Sequence, residues 1–218
     1  MSLPMTPSLD QPLQVRVLVV DDHPIVRAGL SALIAEERDV VLVAEAENGE
    51  EAVAQFRQHR PDVVLMDLRM PVMDGVEAIR RIRSESPEAV ILALTTYDGD
   101  ADIRRALSSG ARGYLLKDML LSEVIAAIRR VWRGERVIPL EVAARLAEHP
   151  EGSRLTKKEL EVLELVARGL SNKEIARNVG RTDETVKMHL KNIFSKLHVR
   201  DRTEAATVAL VRGLIHLP

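Results

Sequence analysis

The sequence predicts an α/β protein, a doubly wound five-stranded parallel sheet followed by a small all-α domain of four helices, on three observations. Between Val15 and Arg136, short β-branched apolar runs alternate with longer amphipathic stretches, the pattern of successive βαβ units. Beyond Ser153 no strand signal remains, and apolar residues recur at helical spacing between glycines. Polar residues cluster where four of the five apolar runs end, at the carboxyl edge where an open parallel sheet binds its ligands.

The elements follow in order. Strands are expected at Val15–Val20, Val40–Ala46, Val63–Met66, Val90–Leu94 and Gly113–Leu116. The first helix runs from Pro24, suited to a first turn, to Glu37; the second follows Asn48 as a cap and must stop before Pro61. The third covers Gly75 to Arg83, the fourth ends near Ser109 with Gly110 beyond it, and the fifth runs from a Ser122 cap to Gly134. Pro139, Pro150 and Gly152 mark a linker, in which Glu141–Ala147 can form a short helix. The last four helices are expected at Lys157–Arg168, Asn172–Asn178, Asp183–Leu197 and Thr203–Leu214. The boundaries read from this are 1–14 for a disordered lead-in, 15–136 for the α/β domain, 137–153 for the linker and 154–218 for the helical domain.

A chain of 218 residues has room for two such domains. Its 46% hydrophobic and 29% charged residues exclude both a disordered chain and a membrane-spanning one. There is no cysteine, which rules out disulfides, thiolate zinc sites and a cysteine nucleophile, and suits a reducing cytoplasm. Residues 1–14 lack the basic start and apolar run of a signal peptide, so the expected location is cytoplasmic, without membrane contact. From Arg154 onward the chain carries 13 Lys and Arg against 8 Asp and Glu, leaving 18 against 25 before it. A basic module thus follows an acidic one, which suits polyanion binding by the former and cation binding by the latter.

The residues at the strand ends are Asp21 and Asp22, Asp67, Thr95 and Lys117. Three carboxylates brought together repel one another unless a hard cation joins them, and Mg2+ prefers such oxygen ligands. With the cation in place one carboxylate can attack a phosphoryl group, while Lys117 and Thr95 stabilise the transferred oxygens. Singly, each residue has a plainer explanation. Asp22 would cap a helix, Thr95 would be a turn hydroxyl, Tyr114 a half-buried strand aromatic, and His23 a structural residue outside the site.

The segments Val-Asp-Asp-His (20–23), Leu-Met-Asp-Leu-Arg-Met-Pro-Val-Met-Asp-Gly (65–75), Leu-Thr-Thr (94–96) and Gly-Tyr-Leu-Leu-Lys-Asp (113–118) resemble a response-regulator receiver domain over Val15–Arg136. That resemblance implies a flavodoxin-like fold with Asp67 as phospho-acceptor, and Asp22, Asp67 and the backbone carbonyl of Arg69 as Mg2+ ligands. It further implies that Asp21 supports the metal through water and that Thr95 and Tyr114 form a switch pair. Many receivers have Pro after the lysine where this chain has Asp118, which puts the cis peptide common there in doubt.

In the C-terminal domain, Asn172–Asn178 carries Ile175, Ala176 and Val179 at helical spacing and turns at Gly180, so the next helix can cross steeply. That next helix, capped by Thr182, buries Val186, Leu190, Ile193, Phe194 and Leu197 and offers Lys187, Met188 and Lys191 on another face. A basic stripe with one apolar contact suits the major groove of DNA, with Lys173, Thr185 and His189 as phosphate-side neighbours. Leu155–Leu163, Gly169–Ala176, Glu184–Lys191 and Lys196–Ala205 resemble the LuxR-type helix-turn-helix. With the receiver this indicates the NarL/FixJ class of response regulators. The resemblance implies that Lys187, Met188 and Lys191 approach bases, and that Thr203–Leu214 pairs two domains. It implies a sensor histidine kinase, promoter DNA and a second, phosphorylated copy as partners, with RNA polymerase as a further one. Arg181 stands where the family usually has an apolar residue.

Other readings fit less well. An aspartate-based phosphohydrolase typically needs a second Asp two residues after its nucleophile, and Arg69 is there instead. Neither a P-loop nor a dinucleotide fingerprint is present. A small-molecule sensor would be expected to line its pocket with aromatics, which make up only 2% of this chain. A receiver acting solely through protein contacts would leave the basic helix-turn-helix unexplained. The expectation is therefore a phospho-accepting signalling protein, not an enzyme in the ordinary sense.

Overall fold

The run Val-Arg-Val-Leu-Val-Val, apolar on both sides except at Arg16, is what a strand covered by helices on two faces requires. In the computed structural model, described over residues 14–96, 99–117, 121–148 and 155–216, it forms the strand β1 (Val15–Val20). With β2 (Val40–Ala46), β3 (Val63–Met66), β4 (Ile91–Thr95) and β5 (Gly113–Leu116) it makes a parallel sheet of order β2-β1-β3-β4-β5. The order reverses between β1 and β3, so the crevice beyond their carboxyl ends is the natural ligand site.

One face of the sheet is covered by α1 (Pro24–Ala35) and α5 (Leu121–Trp132). Leu30 and Ile34 from α1 and Val124, Ile125 and Ile128 from α5 share a core with Val17, Val19 and Leu65. The other helices of this unit, α2 (Gly49–His59) and α3 (Gly75–Glu85), pack side by side and bury Phe56, Ile79 and Ile82. Asn48 caps α2 by accepting from the amide of Glu51, and Asp74 caps α3 by accepting from that of Glu77 at 2.7 Å. Between β3 and α3 the amide of Met73 donates to the carbonyl of Pro71 at 2.7 Å, and Val72 in the middle of this γ-turn has a φ of 67°. Left-handed backbone is strained for a β-branched residue.

The chain divides into two compact units, Met1–Thr95 with Ser109–Val137 and Thr96–Ser108 with Ile138–Pro218. The second comprises α4 (Asp100–Ser108), α6 (Leu140–Glu148), α7 (Lys157–Ala167), α8 (Asn172–Asn178), α9 (Asp183–Leu197) and α10 (Arg202–Val211). Leu163 and Val166 from α7, Ile175 from α8, Val186, Leu190 and Ile193 from α9 and Ala205 and Ala209 from α10 form its core. Thr156 and Ser171 each close a capping box, with Glu159 and Glu174 respectively. No helix among the described residues is long and apolar enough to cross a membrane.

Several boundaries differ from expectation. The fourth strand is shifted one residue on, because its pairing with β5 continues through Thr95, whose carbonyl accepts from the amide of Lys117 at 2.9 Å. The fifth helix starts at Leu121, which places Ser122 in its first turn and not at its cap. The last helix begins at Arg202 because Asp201 caps it, accepting from the amide of Glu204 at 2.8 Å. The expected lead-in up to Leu13, the peptide bond to Asp118 and the end of the linker at 149–153 lie outside the described residues.

Candidate functional site

At the carboxyl edge of the sheet, Asp21 follows β1, Asp67 follows β3, Thr95 ends β4 and Lys117 follows β5. Asp21, Asp67 and Thr95 are buried, as is Tyr114 on β5. Lys117 Nζ lies 2.5 Å from Asp21 Oδ2 and 2.6 Å from Asp67 Oδ2, so one ammonium bridges two buried carboxylates. The strand ends therefore converge as the sequence predicts. Burial pushes the Asp67 carboxyl above the ordinary carboxylate range and Asp21's charge adds to this, against the hydrogen bond and charge of Lys117 and the Arg69 amide. Burial also works to lower the Lys117 ammonium, but hydrogen bonds and charge from Asp21 and Asp67 outweigh it and the net direction is upward.

The backbone amide of Arg69 donates to Asp67 Oδ1 at 3.3 Å, keeping that peptide beside the carboxylate. Asp22 is partly exposed. His23, set outside the site on sequence grounds, belongs to the cluster. Its Nδ1 lies 2.7 Å from Asp22 Oδ1 and 3.3 Å from Asp21 Oδ1. Asp21, Asp22, His23 and Asp67 each present a ligand atom within 4.8 Å of the others. Asp21 Oδ2 meets the Lys117 ammonium and Asp22 Oδ1 the His23 imidazole, and neither oxygen has a further partner among the described residues. An oxygen-rich donor set with lone pairs to spare fits a hard divalent cation.

Sequence reasoning also missed Arg27. This buried residue of α1 donates to the backbone carbonyl of Asp21 at 2.6 Å and to Glu47 at 2.5 Å, fixing the segment that carries the acidic pair. Its partner carboxylate is 20 residues away, so no local spacing announces it. Gly75 is a further positioning residue. A Cβ there would sit 1.9 Å from the carbonyl oxygen of Asp67, so only glycine lets α3 start against the site. Gly75→Ala should cost about 1–3 kcal/mol by overpacking and displace the Asp67 backbone. Thermal unfolding checks the first effect and phosphoryl labelling the second. Wild-type behaviour in both would show that the contact is relaxed at no cost.

On the second unit, Lys187, Met188 and Lys191 of α9 are all exposed, and Met188 keeps 54% of its surface accessible. An exposed methionine between two lysines has no part in the core. Lys187 Nζ lies 3.2 Å from Asp183 Oδ2, a contact that a competing anion would have to replace. Lys173 is exposed in the first turn of α8. Thr185, expected on the phosphate side, is half-buried and tied to the cap: its amide donates to Thr182 Oγ1 at 3.3 Å and the two hydroxyls lie 3.0 Å apart. His189 is half-buried on the flank of α9.

Residues 17–129 match the response regulator receiver domain, and residues 153–209 match the bacterial regulatory proteins of the luxR family. The chain is 39% identical over 208 residues to the response regulator protein VraR of Staphylococcus aureus, covering 93% of this chain and all of that one. Among solved structures it is similar to the response regulator ChrA of a heme-sensing two-component system, at 38% identity and a TM-score of 0.57 over 93% of this chain and all of that one. It is also similar to RcsB from Salmonella enterica serovar Typhimurium bound to the promoter P1flhDC in the presence of a beryllofluoride phosphomimetic. There the identity is 28% and the TM-score 0.71 over 89% of this chain and 97% of that one. This architecture is that of a phospho-accepting signalling protein and not of a classical enzyme. The chain belongs to the two-component response regulators of the NarL/FixJ type, in which a receiver domain precedes a LuxR-type DNA-binding helix-turn-helix.

Proposed function

We propose that Asp67 accepts a phosphoryl group from a sensor histidine kinase and that this controls promoter binding by α9. The observation carrying the reading is the bridging of Asp67 and Asp21 by Lys117 at the carboxyl edge of the sheet. A carboxylate oxygen of Asp67 attacks phosphorus, the bond from phosphorus to the donor breaks with its electrons leaving on the donor, and an acyl phosphate remains. Lys117 exchanges carboxylate contacts for the new phosphoryl oxygens, and the Thr95 hydroxyl at the end of β4 donates to another. Buried Tyr114, on the strand next to Thr95, follows that hydroxyl as the second member of the switch pair.

Asp22, Asp67 and the Arg69 carbonyl would hold Mg2+, with Asp21 acting through water. Bound there, the cation would neutralise the carboxylates and polarise the phosphoryl oxygens. Domain bounds of 15–136, 137–153 and 154–218 suit this division of labour. Lys187, Met188 and Lys191 would face bases, with Lys173, Thr185 and His189 on phosphates. Two phosphorylated copies would pair through α10, where Leu210 and Val211 are exposed, and read two half-sites about one helical turn or a multiple apart. Regulation of transcription makes RNA polymerase a further partner, and the cytoplasm is the compartment in which these partners meet.

Incubation with acetyl phosphate and Mg2+ should add one base-labile phosphoryl group, located by peptide mass spectrometry on Asp67. Label on another residue, or none at millimolar donor, would overturn the assignment. Chelation should slow the labelling strongly.

A further inference from the structure

In the helix-turn-helix unit, Lys158, Glu161 and Val162 of α7, Val179 and Arg181 of the turn and His189 of α9 line a cleft of about 90 Å³. We propose that this cleft seats a backbone phosphodiester of duplex DNA, with Lys158 and Arg181 as its cationic jaws. The proposal rests on the reading that α9 enters the major groove, and adds to it two residues and a site.

Charge is the first support. Two permanent cations and an imidazole face one carboxylate, Glu161, across a space open to solvent. The apolar floor of Val162 and Val179 lowers the dielectric beside the cations and strengthens their field at the mouth.

Position is the second. At 3.6 residues per turn, His189 lies one step of about 100° beyond Met188, on the flank between the exposed face of Lys187, Met188 and Lys191 and the buried stripe of Val186, Leu190 and Ile193. A helix with its side chains is about 10–12 Å across and the major groove about 12 Å wide. A helix reading bases through one face therefore presents its flanks to the sugar-phosphate strands, and this flank carries the cleft.

The third support is that both jaws spring from fixed backbone. Lys158 is in the first turn of α7, held by the Thr156–Glu159 capping box. Arg181 follows Gly180, whose φ of 62° makes the turn, and the Arg181 amide donates to the Ala176 carbonyl at 2.9 Å. Fixed backbones leave only side-chain freedom to be lost on binding. Arg181, anomalous beside the apolar residue usual in this turn, acquires a role: it is exposed at the mouth of the cleft.

The test is fluorescence anisotropy of the full-length, beryllofluoride-activated protein with a labelled 24-base-pair duplex of arbitrary sequence, titrated at several KCl concentrations. A phosphate contact acts on every sequence alike, so no operator is needed. Lys158→Ala and Arg181→Ala should each weaken binding about three- to tenfold and flatten the slope of log K against log salt by about one. Lys158→Arg and Arg181→Lys should keep the wild-type slope, separating charge from loss of fold. Glu161→Gln should tighten binding. Wild-type affinity and slope in the Lys158→Ala/Arg181→Ala double variant would overturn the clamp alone, provided Lys187→Ala/Lys191→Ala is weakened. If the wild type binds no duplex, the groove reading falls too. Inorganic phosphate at millimolar concentration, matched in ionic strength by chloride, should not compete. Saturable competition would assign the cleft to a free anion and overturn its role on DNA.

Discussion

Asp67→Asn should abolish the phosphoryl label and, in metal-free protein at neutral pH, raise the melting temperature by about 2–5 °C. The second effect follows from burial. Desolvation lifts the Asp67 carboxyl above its ordinary range, and Asp21's charge adds to this, by more than Lys117 and the Arg69 amide oppose it. The folded state thus holds that proton more tightly than the unfolded chain. Stability from this group is fully present below the unfolded value of about 3.8 and is lost as pH rises through the higher folded one. At neutral pH the ionised group is a net cost that asparagine removes, while its amide oxygen can still accept from Lys117. One kcal/mol moves the midpoint by about 2–4 °C in a domain of 150–250 residues. The gap should close toward pH 4 and narrow with saturating Mg2+, which stabilises the wild type by binding its folded state. Calorimetry with and without Mg2+ decides it. A variant less stable than wild type without metal at pH 7 would mean that the Lys117 bridge outweighs burial.

What could be read from the sequence, and what could not, divides along a physical line. The strands β1, β2, β3 and β5 are legible because sheets covered on two faces need largely apolar runs, interrupted here only at Arg16 and Glu45, and such runs are visible one residue at a time. The starts of α2 and α9 are legible because a cap lies within three residues of the amide it serves. Asp201 obeys the same rule, yet the helix expected from Thr203 starts past it. Arg27 and His23 were illegible for a different reason. Arg27 matters through Glu47, which only folding brings to it, and a histidine beside a helix start looks the same whether or not carboxylates surround it. Thr185, expected on the phosphate side, also has its hydroxyl 3.0 Å from that of Thr182, a local contact that its sequence spacing does not announce. Asp21, Asp67 and Lys117 needed no distances, because the parallel topology carries strand ends to one edge.

In the second unit the largest loss should follow removal of Glu159. Its buried carboxylate accepts from the Thr156 amide at 2.7 Å and from Lys196 Nζ at 2.7 Å, so one group caps α7 and ties it to α9. Burial alone would raise this carboxyl, but the bonds from Lys196 and Thr156, with Lys196's charge, hold it below the usual range. A depressed folded value means that its stabilisation is present above the unfolded value of about 4.5 and is lost as pH falls through the folded one. Glu159→Ala removes the cap, worth about 1 kcal/mol, and unpairs Lys196. Lys196 is partly exposed and recovers some hydration, so the total should be about 2–3 kcal/mol, short of the cost of breaking a fully buried pair. Amide exchange in α7 and α9 should then accelerate roughly 30- to 150-fold at neutral pH. Trp132, the only tryptophan, lies in the other unit and reports whether that unit is untouched. Glu159→Gln keeps the size but not the charge, and should abolish the extra loss of protection that the wild type shows below pH 4.5. Unchanged exchange in α9 with loss confined to the first turn of α7 would reduce Glu159 to a cap and sever its proposed link to Lys196.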